Sequence, residues 1–143
     1  ILTKETKMAI VEELIRKSNE GIDFGNYKLG SKAKLEGFSF EGDVYKIKTF
    51  KEITKLERNG LFAYESVPGT AVFNYKRSEN GVSFLVEGES DAQITLELGE
   101  EKEYEIEIDG VNSGRIKTNL GGKLTINVET KEDTAKKVVV KEA

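Results

Sequence analysis

Between Tyr104 and Val128 the apolar side chains fall on every second residue. Tyr104, Ile106 and Ile108 alternate with Glu105, Glu107 and Asp109; Leu124, Ile126 and Val128 alternate with Thr125, Asn127 and Glu129. A period of two places one side of a strand in a core and the other in water. The chain is therefore expected to be all-β. Turn signals about every 8–12 residues point to an antiparallel β-sandwich of roughly seven to ten strands.

One segment departs from this pattern. Met8, Val11 and Ile15 stand at i, i+3 and i+7, with Ile10 and Leu14 beside them, which predicts a short N-terminal helix over Thr6–Ser18. Thr6 would cap it and Gly21 would stop it. A strand over Ala9–Ile15 stays open as the alternative. At 143 residues the chain fits a single core. Residues 1–22 read as the helical segment, 23–130 as the sandwich domain, and 131–143 as a polar tail that adds an edge strand or stays disordered. Met8 is the only methionine and a candidate start, with residues 1–7 then a remnant added in front of it. No signal peptide is visible, though a start at Ile1 leaves a cleaved one open.

The turns set trial registers. Pairing Glu41 with Val44 across Gly42-Asp43 sets Phe40 opposite Tyr45 and Phe38 opposite Ile47. Asn80-Gly81 sets Tyr75 opposite Val86. A loop at Leu120–Gly122 sets Ile116 opposite Ile126 and Thr118 opposite Leu124. A tight turn at Val67–Thr70 would set Phe62 opposite Tyr75 and Tyr64 opposite Phe73, although Pro-Gly prefers a type II turn that splays hairpins. Asp109-Gly110 is a turn signal of ambiguous register. The expected core is Phe38, Phe40, Tyr45, Ile47, Phe73, Tyr75, Phe84, Ile94, Leu96, Tyr104, Ile106, Ile116, Leu124 and Ile126.

Composition narrows the function. With no His, Cys or Trp, the most versatile acid–base, nucleophilic and soft metal-ligating groups are missing. A net charge of −4 argues against a general nucleic-acid binder and against adsorption to anionic lipid. No cofactor and no metal is expected. Glu87-Gly88-Glu89-Ser90-Asp91 comes nearest to a calcium loop, but solvated charge is the commoner reason for such a run. Gly121-Gly122-Lys123 looks like part of a phosphate cradle, yet a strand follows where a helix is required. The aromatic set Phe62, Tyr64, Phe73 and Tyr75 reads as core packing rather than an exposed stacking platform.

The segment with most to offer a ligand is Tyr64–Thr70, which holds the only proline. A stiffened loop on a β scaffold is a usual form of binding site. Tyr64, Glu65, Ser66 and Thr70 are the expected ligand-binding residues, and no catalytic residue is singled out.

The run Lys48-Thr49-Phe50-Lys51-Glu52-Ile53-Thr54-Lys55-Leu56-Glu57, then Tyr64–Val72, Asp91–Leu96, Ile108–Val111 and Lys117–Leu124, resembles a set of small uncharacterised β-rich proteins of anaerobic Gram-positive bacteria. Some of these carry the label endosialidase. Sialidases gather arginines around a carboxylate and repeat a Ser-x-Asp-x-Gly-x-Thr-Trp box. Here Arg16, Arg58, Arg77 and Arg115 are scattered, Trp is absent, and the chain is too short for a propeller. The resemblance thus implies a stand-alone cytoplasmic protein starting near Met8, with Tyr64–Val72 as a signature surface. The expected function is a non-catalytic interaction or binding module for a protein, a small ligand or its own copy, with no nucleic-acid or membrane partner. The alternative is a small glycoside hydrolase using carboxylates and Tyr, or a carbohydrate-binding protein.

Overall fold

Strand-forming residues dominate the computed structural model, which describes residues 10–143. In chain order the strands are β1 (Ile15–Lys17), β2 (Ile22–Phe24), β3 (Ala33–Phe40), β4 (Asp43–Phe50), β5 (Ile53–Arg58), β6 (Leu61–Val67) and β7 (Ala71–Ser78). They continue with β8 (Gly81–Glu87), β9 (Ala92–Glu97), β10 (Glu103–Ile108), β11 (Val111–Lys117), β12 (Lys123–Val128) and β13 (Lys136–Glu142). All pairings are antiparallel. One sheet has seven strands in the order β1-β2-β7-β8-β13-β10-β11; the other has six in the order β12-β9-β6-β5-β4-β3. The class is a β-sandwich, with thirteen strands among the described residues rather than seven to ten.

The expected helix does not form in its described part. Residues 12–14 turn, Leu14 adopts φ 72°, and Ile15 enters β1 opposite Phe24. Thr6–Ala9 lie outside the described residues. A helix would hold Val11 and Ile15 on one stripe. Here they part: Ile15 joins the core between the sheets, while Val11 packs with Tyr27, Ala71 and Phe73 in a smaller cluster on the outer side of the seven-stranded sheet. Ile10, Val11 and Ile15 are β-branched, and pairing with the Ile22–Gly25 segment satisfies a backbone that such residues keep extended. The bonds Val11 N–H to Gly25 O and Gly25 N–H to Leu14 O, both 3.0 Å, fasten it.

The C-terminal segment is also relocated. β13 is an interior strand, hydrogen-bonded to β8 on one side and β10 on the other, with Val138 and Val140 fully buried. Val138 and Val140 face the core, and Val139, on the opposite face, is half-buried.

Every residue of the expected core is buried, or, for Phe38, Phe40 and Ile116, partly buried against it. The pairings differ. The β3–β4 turn is Glu41-Gly42, with φ of 49° and 86°, so Phe38 rather than Phe40 faces Tyr45; beyond a bulge Leu35 faces Ile47. The Phe38/Tyr45 pairing is a two-residue shift, which leaves the faces unchanged. At the β7–β8 turn Ser78 pairs with Gly81, and Val72, not Tyr75, faces Val86. Two displacements add: the two-residue turn is Glu79-Asn80 and not Asn80-Gly81, and a bulge follows at Asn74, φ 53°, whose N–H is held by the Asp23 carboxylate at 2.8 Å. The bulge also sends Phe73 to the outer cluster and Tyr75 to the main core.

Two expected hairpins are crossings instead. β6 and β7 lie in different sheets, and so do β11 and β12. Alternation states which face of a strand is apolar but not which strand lies beside it. At Leu120–Gly122 the chain locks onto the neighbouring β9–β10 crossing through Leu98 N–H to Gly122 O at 2.7 Å and Lys102 N–H to Thr118 Oγ1 at 3.0 Å. Asp109-Gly110 does form a two-residue turn pairing Ile108 with Val111, and a bulge restores Tyr104 opposite Ile116.

Candidate functional site

The residues between Tyr64 and Thr70 are drawn together, but inward. Tyr64, Ser66 and Thr70 are 0% exposed. Their hydroxyls meet: Thr70 Oγ1 lies 2.8 Å from the Tyr64 hydroxyl and 2.7 Å from Ser66 Oγ. The network continues through the backbone of Thr70. Thr54 Oγ1 donates to Thr70 O at 2.8 Å, accepts from Thr70 N–H at 3.0 Å, and sits 2.8 Å from Thr49 Oγ1. Thr49 Oγ1 in turn accepts from Asn26 N–H at 2.9 Å. Burial pushes the Tyr64 phenol well above its usual range, so it remains a neutral hydrogen-bonding group.

The expected ligand surface at these positions is thus corrected. The β6–β7 crossing has to pass between sheets through the core, where its polar groups need internal partners. Pro68 follows a cis peptide bond, and a Cβ on Gly69 would fall on the Phe50 carbonyl oxygen. Glu65 alone of the four faces outward, half-buried between Lys55 and Thr95 on the six-stranded sheet. Of the aromatic set, Tyr64, Phe73 and Tyr75 are buried; Phe62 is half-buried with the Lys123 ammonium 4.6 Å from its ring centre.

A cleft forms elsewhere, where the two sheets part beside β3, β4, β5 and β7. It measures about 410 Å³ and is lined among others by Phe40, Asp43, Tyr45, Arg58, Tyr75 and Arg77. Each strand contributes by its register. Arg58 stands directly across from Tyr45, on the same face. Arg77 lies two residues from Tyr75 and so points the same way. Two of the four arginines, distant in sequence and from opposite sheets, thereby meet over two tyrosines.

Asp43 orients this arrangement. Its Oδ2 accepts from Arg58 Nε at 2.8 Å and its Oδ1 from Asn59 Nδ2 at 2.9 Å. Those hydrogen bonds, from Asn59 and then Arg58, hold the Asp43 carboxyl below its ordinary range. Nε is engaged by Asp43, and the Arg58 guanidinium also lies against the Tyr45 hydroxyl, so Asp43 and Tyr45 together fix its position at the cleft. Arg77 makes no ion pair among the described residues. Tyr75 is anchored edge-on against Phe24, with ring centres 5.4 Å apart. Burial pushes its hydroxyl up to about 12. Burial, and then the Asp43 charge, raises that of Tyr45. Both phenols stay protonated at neutral pH, serving as hydrogen-bonding groups rather than bases.

Nothing in the sequence flagged Arg58 or Arg77, because their meeting depends on how two sheets stack. The readable signal was Tyr45 and Tyr75 on inward faces close to turns. Fold and cleft together define an antiparallel β-sandwich with a polar, aromatic-floored opening at one end. No protein-family model, curated protein or solved structure matches the chain.

Proposed function

We propose that this chain is a non-catalytic binding module that seats a small, oxygen-rich ligand of about sugar size in the cleft between the sheets. The observation that carries it is the convergence of Arg58 and Arg77 from facing sheets over the neutral Tyr45 and Tyr75 phenols. Guanidinium forks bind carboxylate or hydroxyl oxygens, and Phe40 supplies an apolar wall. The size lies within the ~300–1,000 Å³ range usual for small-molecule sites.

Hydrolysis is the weaker reading. Glycoside cleavage by two carboxyl groups needs one that holds a proton near one that is ionised. Asp43 is held ionised, while the carboxyl that burial pushes up, Glu87, bonds Tyr27 and the Asp133 backbone and is not part of the cleft lining.

Amide NMR titration with neutral and acidic monosaccharides tests the reading. Shifts are expected at Glu41–Tyr45, Arg58 and Tyr75–Glu79, and Arg77→Gln should abolish them while changing stability by less than about 0.5 kcal/mol. A variant that responds as the wild type does would remove the cleft from consideration. Release of new reducing ends from a glycan would favour the hydrolase.

A further inference from the structure

On the outer face of the six-stranded sheet, cross-strand pairing sets one residue from each strand in a row: Lys34, Lys48, Lys55, Glu65, Thr95 and Thr125. Three lysines stand abreast on neighbouring strands, and Lys46 lies on the same face two residues from Lys48. With strands about 4.8 Å apart, the three span roughly 10 Å. Like charges directly opposite one another destabilise strand pairing. Elsewhere the protein avoids this: on β10 and β11, Arg115 lies 3.1 Å from Glu105 and 3.7 Å from Glu103. In the lysine row only Lys55 has a carboxylate partner, Glu57 at 3.9 Å; Lys34, Lys46 and Lys48 make no ion pair among the described residues.

The four ammonium-bearing chains and Glu57 enclose a hollow of about 60 Å³. The hollow is open to solvent, with room for one phosphate group of a chain that lies along the row. No aromatic side chain lines it, so the base stacking that holds single-stranded nucleic acid has no platform. The patch is positive in a chain whose net charge is −4, which gives it a local sign of its own.

We propose that Lys34, Lys46, Lys48 and Lys55 form a second binding face, independent of the cleft, that takes a linear oligophosphate. Lysine binds phosphate as a compact point charge, and several phosphates in a chain can bridge ammonium groups that would otherwise repel.

Isothermal titration of the full chain with tripolyphosphate is the test, with orthophosphate, dextran sulfate and oligo-dT as comparison probes. Tripolyphosphate is expected to bind at least about tenfold more tightly than any of the three, and more weakly as salt is raised. Lys48→Gln with Lys55→Gln should weaken it by about tenfold or more, and Lys137→Gln should leave it unchanged. The melting midpoint of Lys48→Gln should hold or rise, because a repulsion is relieved. Absence of tripolyphosphate binding at low salt, equal binding by variant and wild type, or equal binding of a comparison probe would overturn the proposal. So would a lower midpoint for Lys48→Gln, which would make the row structural.

Discussion

Thr54 shows how one side chain can decide the standing of a whole segment. Its hydroxyl both donates to and accepts from the backbone of Thr70 and touches Thr49, all without access to water. Removing it leaves the Thr70 amide unpaired in the core, the expensive half of a hydrogen bond. Thr54→Val, which keeps the shape, should therefore lower stability by about 1–3 kcal/mol in urea unfolding. A loss within experimental error would mean that water reaches the network. The same reasoning recasts Ser66 and Thr70. Their hydroxyls are readable in the sequence as polar groups near a turn, and as such they look like ligand contacts. Whether a hydroxyl faces solvent or another hydroxyl depends on what the crossing chain packs against, which here is Thr54, 16 residues before Thr70, and Thr49 beyond it.

Among the elements, β13 departs furthest from the sequence reading. Its composition, Lys136-Lys137-Val138-Val139-Val140-Lys141-Glu142, is equally that of a charged edge strand. In the structure it closes the gap between β8 and β10, so without it the seven-stranded sheet separates into two pieces with open edges. Val138→Asp should consequently be severe, at about 3 kcal/mol or more, because it places a charge without partners in the core. Circular dichroism melts would show it; an edge strand would tolerate the change with little shift. The hairpins fared better where both strands stay in one sheet. Glu41-Gly42, displaced by one residue from the expected Gly42-Asp43, and Asp109-Gly110 both turn at a Gly. The two-residue shift at Phe38/Tyr45 kept the inward face because the side-chain period is two; in β7 the bulge at Asn74 broke that rule and turned Phe73 outward. The N-terminal segment failed for the complementary reason. Ile10, Val11, Leu14 and Ile15 satisfy a helical stripe and a bent strand alike, and the seven-stranded sheet offers the strand a partner.

For the whole molecule, pH dependence follows from Glu87. It is 1% exposed, and its Oε2 accepts from the Tyr27 hydroxyl at 3.3 Å and from Asp133 N–H at 2.8 Å. Burial raises its pKa despite those bonds. A carboxyl raised on folding binds its proton more tightly in the native state. Its contribution to stability is then full below the unfolded value, about 4.3, and is lost as pH rises through the folded one. Glu87→Gln keeps an oxygen for both donors and removes the charge. The variant should gain on the wild type as pH rises from 4 towards neutrality, as read from urea unfolding across that range; a constant difference would show that Glu87 ionises freely in the fold. Sequence alone determined the all-β class, the antiparallel sandwich and the burial, whole or partial, of the side chains it placed in the core, because period-two alternation and turn residues are local properties. Tertiary structure decided which strands are neighbours, where the chain crosses between sheets, and therefore that the hydroxyls at Tyr64–Thr70 are sealed in the core. It likewise brought Arg58 to Arg77 and set Lys34, Lys48 and Lys55 side by side. Sheet order arises from long-range pairing and the stacking of two layers, and no local pattern encodes either.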